Sequence, residues 1–431
     1  MKKQDVIIVG SGVGGATVAK EMARKGYRVS IFEWGKDNSP QGGFFANPFR
    51  CFGGIKHKSN AYLTTDGTPR IQIVRAITTG GSTLVYGGAS WDPPLQLFEK
   101  YGVNIKDEID DIKKEIIIRP LQDHEMGVSG RIIKEAAIKT GLKWKNIDRF
   151  FLNPDKFKQS SYLFGDKTGA RWDARVWINE AIKNGATLYN EHYCEKLIIK
   201  SGCVSGICVT TANGQKKDFF SDIVVLAAGG IGSPVILNNS GVESGSGIFV
   251  DPYVVAIGYL DHKINGAEVT RQGGILLEDG IALGDSTLPL LAYVKLTIEN
   301  KKYEKLLCRN KCISILVEID DDISGSIDKY GKIKKTLSDK DLEKLDKGKD
   351  VALKILEAAG AKDIWFSKIA GVHPGGSCKI GRVVDSNLST DVKNLYICDA
   401  SVLPESMAIP PALSIMCLGK RLAGYLSSQY N

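Results

Sequence analysis

Several features are scarce in this chain of 431 residues. No apolar run reaches the ~20 residues that a membrane-spanning helix needs. Only two lysines precede the first apolar stretch, so neither a span nor export is expected and the chain reads as cytoplasmic. There is no low-complexity tract and no repeat at solenoid spacing, which excludes fibrous and repeat architectures. Histidine is rare: His57, His124, His192, His262 and His373 are the full set. The first four sit among polar or charged neighbours and are expected at the surface. The nine cysteines (Cys51, Cys194, Cys203, Cys208, Cys308, Cys312, Cys378, Cys398 and Cys417) are odd in number and scattered through apolar stretches, as free thiols in a reducing compartment would be. Cys308 and Cys312 lack a second pair or a nearby histidine, so no metal site is expected. No cysteine pair follows the first glycine motif, which disfavours a thiol–disulfide reductase. The net charge of +8 is modest, and acids and bases interleave, as in KIKKTLSDKDLEKLDKGK. That pattern is a solvated helix face and not a nucleic-acid footprint. Ser338 with Asp341 reads as a capping box opening a helix that ends near Gly360.

What is plentiful is glycine, with 47 residues, several of them in short runs. Asp5 to Val9 is a continuous apolar run, as in a strand buried on both faces. Gly10, Ser11, Gly12, Val13, Gly14 and Gly15 follow and open an amphipathic helix through Arg24. Gly26 stops it, and a second apolar run from Val29 ends at Glu33, next to Trp34. Gly10 allows the tight turn, Gly12 lets the backbone approach a pyrophosphate, and Gly15 lets helix and strand pack closely. The helix N-terminus then faces the phosphates, and Glu33 stands where a carboxylate accepts ribose hydroxyls. Strand, glycine turn, helix and acid in one unit imply a dinucleotide site, without separating NAD from FAD.

Two further glycine segments separate them. Residues 77–90 read ITTGGSTLVYGGAS, where Gly80-Gly81 and Gly87-Gly88 bracket a short apolar stretch, implying backbone pressed against something flat. Residues 223–237 read IVVLAAGGIGSPVIL, another buried strand followed by Ala228-Gly229, with Ser233-Pro234 expected as N-cap and first helical residue. Before it, two β segments from Glu195 and from Val204 meet at Ser201-Gly202, with another turn at Asn213-Gly214. A βαβ unit, a β meander and a strand ending in AAGG is the layout of a glutathione-reductase-type, FAD-binding Rossmann domain in the α/β class.

The segment from His373 to Leu426 (HPGGSCKIGRVVDSNLSTDVKNLYICDASVLPESMAIPPALSIMCLGKRLAGYL) completes the pattern. With the N-terminal fingerprint and GGSTLVYGGAS, it resembles the glucose–methanol–choline oxidoreductases, including their cholesterol-oxidase-like relatives. The resemblance implies non-covalently bound FAD in a discontinuous domain of residues 1–100, 166–244 and 374–431. A substrate domain would span 245–373 and a helical excursion or lid 101–165. It implies that Gly10, Gly12, Gly15 and Glu33 hold the ADP half, with Ser11, Val13, Gly14 and Trp34 beside them. Gly80, Gly81, Ser82, Thr83, Leu84 and Val85 would run along the pyrophosphate and flavin, and the backbone of Cys194 would meet the adenine. Asp399-Ala400 and Pro410-Pro411 would close over the rest, although a plain turn-capping aspartate is the competing reading of Asp399. His373 matches the family's active-site histidine, where a neutral imidazole with a pKa near ~6.5 would take an alcohol proton.

Two positions depart from the family. Pro410 stands where a second polar side chain is usual, and Tyr86 replaces an asparagine. The segment Gly80 to Ala89 contains neither histidine nor cysteine, so no covalent flavin link is expected there. The runs YVVAIGYL, GGILLEDGIALG, LLAYVKLTI and CISILVEID, between residues 253 and 320, suit an antiparallel sheet with one face over the flavin. The reading that follows is an FAD-dependent dehydrogenase of CH–OH groups, with a small-molecule substrate and an electron acceptor such as a quinone or carrier protein. A flavin-dependent reductase or desaturase of an isoprenoid or steroid C–C bond, and a non-catalytic electron-relay subunit, are the alternatives.

Overall fold

The computed structural model describes residues 4–38, 40, 62–160, 165–264 and 268–430. Cys51 and His57 lie outside them. Around Gln4–Val9, whose Val6, Ile7 and Ile8 are fully buried, a parallel sheet forms. Lys216–Leu226 lies on one side and Val29–Phe32 on the other. Leu395–Ile397 and Thr187–Tyr189 flank these two, again in parallel. The helix Val13–Arg24 crosses this sheet, and Gly26, at φ +84°, ends it. Lys216–Leu226 continues beyond the parallel sheet into an antiparallel meander with Cys203–Thr211 and His192–Lys200. The meander turns at Ser201 and Gly202, both in the left-handed region that a tight hairpin needs.

Among the described residues the second sheet has nine strands and is mostly antiparallel. Its centre is Pro252–Tyr259 paired with Cys312–Ile319, followed by Ile281–Ser286 and Gly273–Leu277. Alternation decides its two faces. Ile313, Ile315, Val317 and Ile319 join a core with Leu345, Ala352, Ile355 and Leu356 of the helix Asp339–Ala358. Leu316 and Glu318, one step out of phase, point to the other side. The helix begins with the expected capping box: Asp341 N–H donates to Ser338 Oγ (3.2 Å) and Ser338 N–H to Asp341 Oδ2 (2.9 Å).

Two expectations are corrected. The helix after AAGG spans Gly229–Asn239, so Ser233 and Pro234 lie inside it and not at its start. Proline cannot donate to the carbonyl four residues back. That carbonyl, of Gly230, accepts the Ser377 hydroxyl instead (2.6 Å). LLAYVKLTI forms the helix Leu290–Glu299 and no strand. An apolar run of that length fits either element, and here Tyr293 and Thr297, four apart, are its buried residues. Two helices of the charged excursion pack into the two cores. Ile109 and Ile112 of Lys106–Glu115 join the first core, while Ile133, Ala136 and Ala137 of Val128–Lys139 join the second. Among the described residues, none from 101 to 165 lines the large cavity described below. No helix among the described residues is long and apolar enough to cross a membrane.

Candidate active site

Between the C-terminal ends of the parallel strands and the open face of the second sheet lies a cavity of about 790 Å³. Gly10, Ser11, Gly12, Val13 and Gly14 line it, with Glu33 and Trp34. Gly10 has φ +104°, and a Cβ there would strike the Ala227 carbonyl. Gly15 lies behind the wall, its Cα against the Gly10 carbonyl, and Gly14 sits equally close to the carbonyl of Cys398. Gly12 differs, because a Cβ there would meet no protein atom within 4 Å and would project into open space. As N-cap of Val13–Arg24, Gly12 supplies no side-chain cap, and the first turn has no acidic residue. The free N–H groups and the helix dipole are thus left for an anion.

Glu33 is buried and accepts from Ser11 N–H (3.1 Å), Ser11 Oγ (2.6 Å) and Gly35 N–H (2.7 Å). Burial pushes its pKa up against those bonds. Gly80 N–H donates to Ser11 Oγ (3.1 Å), tying the second glycine segment to the first. Gly80, at φ +84°, leads into a short 3-10 turn, Gly81–Leu84. A Cβ on Gly81 would lie 2.9 Å from Gly12 Cα, so the surface this glycine presses on is the first motif itself. Gly81, Ser82, Thr83, Val85 and Tyr86 line the cavity, whereas Gly80 lies behind it and Leu84 is buried in the core. Tyr86 is committed elsewhere: its hydroxyl donates to the Trp172 carbonyl (2.7 Å).

Cys194 lines the same cavity, and burial pushes its thiol pKa up. His192 lines it too, against Phe32 and Tyr189, so the expectation of a surface position for this histidine is overturned. His124 and His262 are exposed. Ala228, Gly229, Asp399, Ala400, Pro410 and Pro411 complete this part of the wall. Asp399 accepts from Ser401 N–H (2.8 Å), Gly229 N–H (2.9 Å) and Ser233 Oγ (2.5 Å). It caps a turn and also pins the helix Gly229–Asn239 to the C-terminal segment. A closed glycine turn, an uncapped helix end, a buried carboxylate and empty space before Gly12 fit a dinucleotide.

At the second sheet stands His373, its side chain 25% exposed and its backbone at φ +49°. Its Nδ1 is 3.2 Å from Asp251 Oδ2, a hydrogen bond, and 3.1 Å from Glu318 Oε1, which has no well-aligned partner. Asp251 and Arg271 are likewise left-handed, at φ +39° and +55°. Three such residues in one place mark backbone held in a costly conformation by its surroundings. Asp321 supplies part of the hold. Its carboxylate accepts the N–H groups of Val250 (3.0 Å) and Asp251 (2.9 Å) and is paired with buried Lys335 (2.7 Å). Ser406 Oγ donates to Asp251, and the Arg271 guanidinium pairs with Glu318. Burial alone would lower the His373 pKa, but Asp251 and Glu318 outweigh it and push it up to about 9. This corrects the expectation of an imidazole with an ordinary pKa. Burial raises Asp251 to about 7, while Arg271 and His373 overcome burial and hold Glu318 below its usual range. The fixed charge of Arg271 fills the role that a cation would have beside these carboxylates.

Asp251, Glu318 and Arg271 were missed from the sequence. A signal was present for one of them. Glu318 is a charge inside the apolar strand Cys312–Ile319, in phase with Leu316, which lines the cavity. Arg75 was missed as well; it lines the cavity beside Trp34, and burial pushes its pKa down to about 10.

Models of the GMC oxidoreductase family match residues 4–258 and 328–419. A long-chain-alcohol oxidase of Arabidopsis thaliana is 22% identical over 98% of this chain and 68% of its own length. An uncharacterized protein of Methanocaldococcus jannaschii is 26% identical, covering 97% of this chain and 98% of the other. Among solved structures, pyridoxine 4-oxidase from Mesorbium loti superposes with a TM-score of 0.78 over both whole chains at 16% identity. A formate oxidase of Aspergillus oryzae RIB40, studied for a mutation's effect on FAD modification, gives 0.76 at 14%, covering 100% of this chain and 99% of its own. Family members are FAD-dependent oxidoreductases of alcohol-type substrates. The chain belongs to the GMC oxidoreductase family.

Proposed function

We propose that the chain oxidises the CH–OH group of an apolar alcohol, with non-covalent FAD, His373 as proton acceptor and a carrier other than oxygen as electron acceptor. The observation that carries the reading is His373, clamped at Nδ1 by two buried carboxylates in the same cavity as the glycine turn and Glu33. Gly12 and the uncapped helix end would hold the pyrophosphate, Glu33 the ribose and the Cys194 backbone the adenine. Gly81 to Val85, Asp399-Ala400 and Pro410-Pro411 would close over the remainder. FAD supplies, when bound, a hydride acceptor at N5. The wall nearest the second sheet carries Val255, Leu316, Leu288, Ala292 and Leu296 among polar residues such as Ser286, Lys295 and Glu299, and the apolar stretch suits a substrate with an apolar chain. The long-chain-alcohol oxidases among the relatives act, by name, on such molecules.

The clamp fixes a proton on Nδ1 and leaves Nε2 to receive the hydroxyl proton. The imidazolium so formed is stabilised by Asp251 and Glu318, the same interaction that raises the pKa to about 9. The sign follows directly. Below that pH the imidazole already carries the proton and cannot accept another, so oxidation speeds up as pH rises. The gain is about tenfold per unit until it levels near pH 9. Anaerobic mixing with straight-chain alcohols from about pH 6 to about pH 10 measures this. His373→Ala should keep its flavin and reduce it ~10²- to 10⁴-fold more slowly. Full flavin with an unchanged rate would sink the proton-acceptor role. An imidazolium at neutral pH also suits a proton donor, which favours the C–C reductase as second reading; its rate would fall through pH 9 instead. Mixing the reduced enzyme with aerated buffer decides the acceptor, and reoxidation as fast as turnover would make it an oxidase.

A further inference from the structure

The helix Leu290–Glu299 carries apolar residues on two sides, with Lys295 and Glu299 also lining the cavity. Ala292 and Leu296 face the cavity. Leu291 and Ile298, seven positions apart and so on one common face, are 39% and 47% exposed. The turns that follow add Tyr303 at 58% and Leu307 at 95% exposure. Burying apolar surface is favourable and leaving it in water is not, so four exposed apolar side chains within one short stretch of chain point to a contact surface. Its charge is one-sided. Beside the exposed apolar residues, Lys301, Lys302, Lys305, Arg309 and Lys311 outnumber Glu304 and Asp363, the latter paired with Lys305, whereas Lys295 turns to the cavity and pairs with Glu299.

We infer that this helix and the turns after it dock on an anionic lipid surface. The shape argues for lipid over a protein partner. Leu307, on a turn between Lys305 and Arg309, is 95% exposed and so protrudes instead of lining a groove. A bilayer interface deforms around such a residue while its anionic headgroups meet the lysines. The docked helix is also the cavity's wall, so a substrate dissolved in the bilayer would have one helix to pass. The docking claim is independent of the chemistry proposed above, because binding is scored without turnover.

The test is co-sedimentation of the flavin-loaded protein with vesicles of phosphatidylcholine, alone or with about 30% phosphatidylglycerol. Binding should require the anionic lipid and weaken as salt screens it. Leu307→Ser should reduce binding about tenfold, and Leu291→Ser with Ile298→Ser should add to the loss. Flavin absorbance and melting temperature check that the variants fold; the sites are exposed, so both should be unchanged. No binding to anionic vesicles by the wild type, or binding unaltered by Leu307→Ser, would overturn the inference. A dimer that Leu307→Ser splits, without vesicle binding, would assign the face to a second copy of the chain and overturn it equally.

Discussion

Three glycines within four residues have different physical tasks, and the structure separates them. A Cβ at Gly14 collides with the Cys398 carbonyl, and one at Gly15 with the Gly10 carbonyl. Backbone cannot yield there without moving the helix Val13–Arg24 off its sheet. A Cβ at Gly12 collides with nothing, and its φ of −65° is open to any residue. Gly12→Val should therefore fold normally and lose flavin, whereas Gly14→Ala should lose stability first. Circular dichroism melting and flavin content of the two purified variants measure this. A Gly12→Val protein with full flavin would mean that the pyrophosphate lies elsewhere. The sequence motif supports Gly12 and Gly15 in these roles but is silent on Gly14, because its partner Cys398 is 384 positions away. The same limit hid Asp251 and Arg271. Each is one charged residue in an unremarkable loop until the fold brings it beside His373.

Elements were legible where a local signal is unambiguous. Ser338 and Asp341 form a reciprocal cap at the predicted position, and Gly360, at φ +80°, stands just past the helix end. Ser338→Ala removes one of those two bonds and should destabilise the protein by about 1 kcal/mol. Urea titration would measure it, and no change in midpoint would show that tertiary packing alone holds the helix start. Its effect on flavin content should be nil, since the helix lies on the sheet face away from the cavity. Elements were misread where two signals compete. LLAYVKLTI satisfies a buried strand and a two-sided helix equally well, and only the neighbours decide. Ser-Pro after a strand is a usual helix start, yet Gly229 begins the helix earlier because Ser377 takes the bond that Pro234 cannot make.

At the scale of the molecule, two cores meet around one cavity. Val9, Phe32 and Ala227 belong to the first, Ile231, Val235 and the central strands of the second sheet to the other, and residues of both line the space between. The N-terminal motif, the C-terminal segment and the middle sheet thus share the walls of one cavity of about 790 Å³. A flat, charged group in that space would join the halves without any covalent bond, and its binding would add directly to stability. Free ligand at about 100 times its dissociation constant contributes about 2.7 kcal/mol. Acid or mild heat should release the flavin into the supernatant, leaving a colourless chain that melts several degrees lower. Added FAD should restore the melting temperature in a concentration-dependent way, and riboflavin, lacking the ADP half that Glu33 and Gly12 are placed to hold, should not. Colour that stays with the denatured chain would refute non-covalent binding. Restoration by riboflavin as complete as by FAD would mean that the first motif contributes nothing to the site, and the division of the cavity into a nucleotide end and a His373 end would fail with it.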